Sequence, residues 1–267
     1  MLLQKRMIQS VKEKCEQDSN VTSCMMYGSF TKGEGDQYSD VEFYIFIKDN
    51  TFEFFQSRQW IAEIASYDLM FQNEYGTEVV IFSNLIRGEF HFLPESNIKV
   101  INTFKPTGVF PDTESMFIYD VTGKLKPYLD DLGGNGPERM TNENVNFAFN
   151  NFVNAWLMGI NVLKRGEAAR SLEILTHVQK YILHLLRVRE QKVERWLNFT
   201  KNLENDLSAE AYKEYSLITS KLQKDELENA YIHALMLVEK LTEKLKPDYD
   251  FEVNMGIIHK LRDYVNK

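Results

Sequence analysis

Apolar residues return every fourth position at the start of the chain. Leu3, Met7, Val11 and Cys15 share one face, which predicts an amphipathic helix from Leu2 to about Asp18. The pattern then tightens. Val21 to Tyr27 is a run of β-branched and apolar residues stopped by Gly28, and it reads as a strand. A polar loop with three glycines leads to a second strand, Asp40 to Ile47. The short connection makes these two strands antiparallel neighbours. A helix is expected around Trp60 to Ile64, strands at Thr77 to Phe82 and Ile86 to Phe92, and a short strand at Phe117 to Asp120. Gly123 to Leu132 reads as a helix, with Pro127 near its start.

Gly133-Gly134-Asn135-Gly136-Pro137 is the densest cluster of helix and strand breakers. It sets the expected boundary between residues 1–132 and residues 133–267. Beyond it the period is helical almost throughout. Val145, Phe149, Phe152, Trp156, Ile160 and Leu163 form one stripe. Phe147, Val153 and Leu157 lie on other faces, so this helix is expected to be central and buried on several sides. Gly166 ends or bends it. The next helix should bury Leu172, Leu175, Ile182 and Leu186. Further helices are expected over Ala209 to Ser220, Asp225 to Leu245 and Ile257 to Val265. The expected fold class is therefore α+β, a mixed-sheet domain followed by a helical bundle.

Composition narrows the functional classes. The 267 residues carry a formal net charge of -8 and a sequence pI of about 5.3. Nucleic-acid binding needs a basic excess, so no nucleic-acid partner is expected. A single nucleoside triphosphate remains compatible, because a few basic groups and metal ions can hold it. Cys15 and Cys24 are the only cysteines, which fits two small buried side chains in a reducing cytosol. The N-terminus lacks the apolar core of a signal peptide, and no run is long enough to span a membrane. A cytoplasmic location is expected, and the sequons at Asn20 and Asn198 then count as accidents of sequence.

The chemistry concentrates on the second strand. Successive side chains of a strand point to opposite faces, so Asp40, Glu42 and Tyr44 share one side while Val41, Phe43, Ile45 and Ile47 face the core. Two like charges so close are best tolerated with a cation between them. An all-oxygen site suits a hard divalent ion, and Mg²⁺ is the usual one beside phosphates. Arg87, Glu89 and His91 alternate with Gly88, Phe90 and Phe92, which makes that strand a candidate second wall. A glycine-lysine phosphate loop, a complete dinucleotide fingerprint, a zinc motif and a nucleophile elbow are all missing from the sequence.

An apolar strand ending in Tyr27-Gly28-Ser29, a short loop and then Asp40-Val41-Glu42 resembles the nucleotidyltransferases of the DNA polymerase β superfamily. The join to a helical half is similar to its antibiotic-modifying branch. The stretches Gly28 to Asp36, Leu85 to Phe92 and Leu157 to Glu167 look most like the larger lincosamide nucleotidyltransferases, and the likeness extends over both halves.

The resemblance implies transfer of a nucleoside monophosphate from a nucleoside triphosphate to a hydroxyl of a small-molecule antibiotic, with release of pyrophosphate. Asp40 and Glu42 would bind two Mg²⁺ ions, and Glu89 would be the general base. Gly28 and Ser29 would hold triphosphate oxygens, with Ser39, Lys32 and Arg170 as further nucleotide contacts and His91 orienting the substrate. Lys32 reads equally well as a solvated loop lysine. Glu78, Asp112, Glu114 and Asp120 compete with Glu89 for the role of base. His177, Lys180, His184 and Arg187 recur with Arg170 at helical spacing, and the later members read as a solvated face. An aminoglycoside acceptor, or an inactive binding module on the same fold, are the alternatives. An exposed apolar helix in the second half would suit a homodimer interface.

Overall fold

The computed structural model describes residues 1–265. The chain divides into two compact units, Met1–Pro137 and Glu138–Lys267. The glycine cluster falls with the first unit because its turns lie against that unit's side chains: a methyl on Gly133 would touch Thr113, and one on Gly136 would collide with Val109.

In the first unit the elements run α1 (Leu3–Gln17), β1 (Val21–Tyr27), β2 (Val41–Ile47), α2 (Asp49–Phe52), α3 (Ser57–Ala62), β3 (Tyr67–Gln72), β4 (Glu78–Phe82), β5 (Arg87–Pro94), β6 (Phe117–Asp120) and α4 (Leu125–Leu132). The six strands form one sheet in the order β3-β4-β5-β2-β1-β6. β2 and β1 pair antiparallel, as their short connection predicts, whereas β2 and β5 pair parallel. One face of the sheet carries Val41, Phe43, Ile45 and Phe90 and is covered by Met7, Val11 and Cys15 of α1 and by Trp60 and Ile61 of α3. The other face is covered at Met25 and Phe46 by Ile98, Ile101, Leu125 and Leu129. Phe46 follows Glu42 and Tyr44 on that face. One end of it is thus buried under helix and the other is left for polar groups.

Several expectations shift here. Leu3 is 50% exposed, and Gln4 takes its place on the buried stripe of α1. β3 was not anticipated, because Tyr67, Leu69 and Phe71 remain exposed on an edge strand and show no buried alternation. Glu95–Thr107 winds as successive 3-10 turns and buries Ile98 and Ile101, three apart.

The second unit contains α5 (Asn142–Lys164), α6 (Ala168–Arg189), α7 (Leu203–Asp206), α8 (Ala209–Ser216), α9 (Lys224–Leu245) and α10 (Gly256–Val265). The Thr141 side chain caps α5 by accepting from the Asn144 amide. Val145, Phe149, Phe152, Trp156, Ile160 and Leu163 of α5 are all buried in the core, as are Leu175, Ile182 and Leu186 of α6. Gly159 lets Tyr231 of α9 press against α5, since an added methyl would sit 1.9 Å from the Tyr231 hydroxyl. That hydroxyl donates to the Ser171 carbonyl at 2.8 Å, and the Trp156 indole donates to the Tyr231 carbonyl at 2.7 Å. Buried Asn146 binds the chain beyond α9 on both sides: its amide donates to the Asp250 carbonyl at 2.7 Å and its oxygen accepts from the Glu252 amide at 2.9 Å.

α5 is not buried on several sides. Phe147 is 53% exposed and Leu157 37%, so a single broad stripe carries its packing. Leu172 is only partly buried. His184 and Arg187 correct the expected solvated face, being 3% and 0% exposed. Arg187 donates to the carbonyls of Lys192, Phe199 and Lys201 and pairs with Asp206 at 2.9 Å. It thereby gathers the irregular segment between α6 and α7, and a buried charge that is paired and hydrogen-bonded is tolerable.

Candidate active site

The register of three strands builds the site. Glu42 on β2 lies beside Glu89 on β5, and Tyr44 beside His91. On the other flank Tyr27 of β1 lies beside Glu42. Neighbours across a sheet share a face, so Tyr27, Glu42, Tyr44, Glu89 and His91 form one polar and aromatic surface. Asp40 stands just before β2, at the open end of this surface.

Asp40 and Glu89 are linked by one guanidinium. Arg87 donates to Asp40 Oδ2 at 2.6 Å and to Glu89 Oε1. The second Glu89 oxygen accepts from the Tyr27 hydroxyl at 3.1 Å, and that hydroxyl lies 2.9 Å from His91 Nε2. A hydroxyl that donates to Glu89 accepts from His91, so Nε2 carries the ring proton and Nδ1 accepts from Thr77 Oγ1 at 3.3 Å. The His91 ring stacks on Tyr44 at 4.1 Å with planes 4° apart. Burial lowers the His91 pKa despite the pull of Glu89, which keeps the ring neutral. Burial, then the charges of Glu42 and Glu89, push Tyr27 far up, so it remains a hydroxyl donor. Burial and then Glu89 raise Tyr44. For Arg87, burial opposes the charge, but the bonds to Glu89 and Asp40 outweigh it and raise the pKa.

Gly28 is required by two independent facts. Its φ is +86°, and a methyl there would sit 1.5 Å from Glu42 Oε2. The turn after it, Ser29–Lys32, is held by the Thr31 hydroxyl, which donates to the Gly28 carbonyl at 2.9 Å. Ser115 donates to the Thr31 carbonyl at 3.2 Å. Ser29 therefore opens a braced turn beside the carboxylates. Lys32 lies over the Phe110 ring at 5.7 Å. The Ser39 hydroxyl donates to Asp36 Oδ1 at 3.0 Å and accepts from the Asp36 amide at 3.0 Å, so it closes the loop that delivers Asp40. Arg170 belongs to the helical unit, at the start of α6, where it is exposed and 3.8 Å from Glu167.

The competing acids stand elsewhere. Glu78 shares a face with Phe90, is buried, and accepts from Ser57 at 3.0 Å. Asp120 accepts from the amides of Thr122, Gly123 and Leu125 and organises the turn into α4. Glu114 pairs with Lys126, and Asp112 accepts from the Ser115 amide at 3.1 Å. Glu89 is the acid that shares the surface of Glu42.

Three contributors were not assigned from sequence. Tyr27 is one strand away from Glu89, and that adjacency follows only from sheet order. Arg87 was placed on the polar face but given no role; its fork could have been suspected from Arg-x-Glu on one side of a strand. Gln4, 2% exposed, donates to the carbonyls of Gln37 and Ser39 at 2.9 and 3.1 Å and anchors the loop before Asp40. Its signal is a polar residue spaced with Met7 and Val11 on an apolar stripe. A cavity of about 690 Å³ opens at this end of the sheet, with Tyr38, Asp40, Leu85 and Arg87 on its wall.

Among the described residues no three His, Cys, Asp or Glu side chains converge closely enough to ligate one ion. The oxygen donors Asp40 and Glu42 suit a hard divalent cation in kind, and the bare Cα of Gly28 leaves the Glu42 carboxylate its room.

The site thus joins a glycine-serine turn, Asp40 just before β2, Glu42 on β2 and Glu89 on the neighbouring β5. Residues 141–264 match the family model of the lincosamide nucleotidyltransferase-like C-terminal domain. The similarity lies in the helical unit and covers slightly under half of the chain. A search of curated proteins returns no match. Among solved structures, an aminoglycoside 6-adenyltransferase from Bacillus subtilis is similar at 14% identity and a TM-score of 0.44, over 98% of this chain and 95% of that one. A nucleotidyltransferase-like protein from Exiguobacterium sibiricum 255-15 is similar at 16% identity and a TM-score of 0.38, over 90% of this chain and 78% of that one.

Proposed function

We propose that this enzyme transfers a nucleoside monophosphate from a nucleoside triphosphate to a hydroxyl of a lincosamide antibiotic, releasing pyrophosphate. The observation that carries the reading is the single sheet surface on which Glu42 and Glu89 are side by side with Asp40 at its mouth. The domain family of residues 141–264 supports the lincosamide as acceptor. Asp40 and Glu42 would hold Mg²⁺, which when bound offsets the charge that develops on the entering and leaving oxygens.

The chain's own groups account for the rest. Glu89 accepts the proton of the acceptor hydroxyl as its oxygen bonds to the α-phosphorus. The bond from the α-phosphorus to the bridging oxygen breaks, and pyrophosphate leaves with that electron pair. Tyr27 fixes the Glu89 carboxylate through Oε2 and is itself set by His91. Gly28 and Ser29, in a turn braced by Thr31, hold triphosphate oxygens.

Incubation with Mg²⁺, mixed nucleoside triphosphates and a panel of lincosamides and aminoglycosides tests this through pyrophosphate release and product mass. A nucleotide-mass adduct on a lincosamide is expected. Adducts confined to an aminoglycoside would replace the acceptor, and no turnover with any acceptor would leave a binding module. Glu89→Gln should lower turnover by about 10²- to 10⁴-fold with nucleotide binding nearly intact. Unchanged turnover in that variant removes Glu89 as the base.

A further inference from the structure

We propose that Arg87 is the resident cation of the site, holding the carboxylates in the metal-free enzyme and giving up its place to the divalent ion. The inference rests on the proposed reading, in which Asp40 is a metal ligand. The structure brings Asp40 and Glu89 to one guanidinium, where their charges repel unless a cation stands between them. In the structure the cation is part of the protein: one guanidinium nitrogen of Arg87 is 2.6 Å from Asp40 Oδ2 and the other is bonded to Glu89 Oε1. The fork spans one acid just before β2 and another on β5, which a point charge could not bridge so squarely.

A divalent ion approaching Asp40 meets this positive charge beside its own ligand oxygen. The ion and the guanidinium therefore compete for Asp40. The exchange needs no opening of the core, because the Arg87 and Asp40 side chains keep 42% and 40% of their exposure. The Glu89 side chain is 20% exposed, and Tyr27 retains its second oxygen when Arg87 withdraws. Release of Arg87 thus frees both the Asp40 ligand atom and one oxygen of the acid that must take a proton. It leaves that acid positioned. Arg87 is a positioning residue whose departure is coupled to metal arrival.

The test measures Mn²⁺ binding to the full chain without nucleotide, by the loss of the free-ion electron paramagnetic resonance signal. Arg87→Gln should bind Mn²⁺ about tenfold more tightly than wild type, since a partly exposed pair is of modest strength. Arg87→Lys, which keeps the charge but cannot fork, should fall between them, and it carries the test if circular dichroism shows the glutamine variant unfolded. Equal or weaker Mn²⁺ binding by folded Arg87 variants overturns the proposal. Asp40→Asn separates the two failures. If it weakens Mn²⁺ binding while the Arg87 variants match wild type, the metal site stands and the exchange does not. If it changes nothing, the metal reading of Asp40 falls, and the exchange falls with it.

Discussion

At Gly28 the backbone and the neighbouring carboxylate make separate demands on one residue. Its φ of +86° strains any side chain, and Glu42 occupies the space a methyl would need. Gly28→Ala should cost about 1–3 kcal/mol of stability and lower turnover more than tenfold, because the methyl displaces Glu42. Urea unfolding and steady-state rates on the same preparation check both effects. His184 makes a different residue-scale case. Its Nε2 donates to the Trp196 carbonyl at 3.1 Å, while buried Nδ1 has no partner among the described residues. Burial above all, with Lys180 and Arg187 nearby, lowers its pKa to about 4. The unfolded chain takes up this proton near pH 6.5, so between those values the unfolded state binds more protons and stability falls as pH falls. The loss is about 3 kcal/mol by pH 4. Asp206 adds to it in the same direction: burial favours its neutral form, but Arg187, Asn202 and Arg195 outweigh that and lower its pKa. The urea midpoint of wild type should drop between pH 7 and pH 4.5, and His184→Gln should flatten the slope.

The elements show which parts of this arrangement a sequence can carry. A continuous apolar run ended by Gly28 located β1, and alternation located β2 and β5 and put Glu42 and Glu89 on their polar faces, because a period of two with one buried side leaves no other register. β3 was invisible since an edge strand need not alternate, and Tyr27 could not be joined to Glu89 until β5, β2 and β1 were known to be neighbours. Arg187 and His184 were misread because helical spacing assigns charged residues to solvent, whereas here a connection without secondary structure needed a donor to gather its carbonyls. α1 contributes more than packing. Gln4 ties two carbonyls of the loop that delivers Asp40. Gln4→Ala leaves those carbonyls unpaired and should cost about 1–2 kcal/mol. It should also lower kcat severalfold with the nucleotide KM nearly unchanged, a split that a purely structural role would not produce.

At the scale of the whole molecule the two units keep separate cores. Val41, Phe43 and Phe90 belong to one, and Phe149, Trp156 and Tyr231 to the other. Substitutions such as Gly28→Ala and His184→Gln therefore act on different cores, and a single unfolding free energy need not describe both. The sheet unit closes when β6 pairs with β1, Ser23 beside Asp120, and the helical unit has a later dependency. Asn146, near the start of α5, takes its partners from Asp250 and Glu252, more than a hundred positions further along. During synthesis the sheet unit can reach its final pairing while the helices are still being made, but Asn146 lacks these two partners until residue 252 has left the ribosome. The clasp on α5 is therefore the last of these contacts that vectorial synthesis can supply.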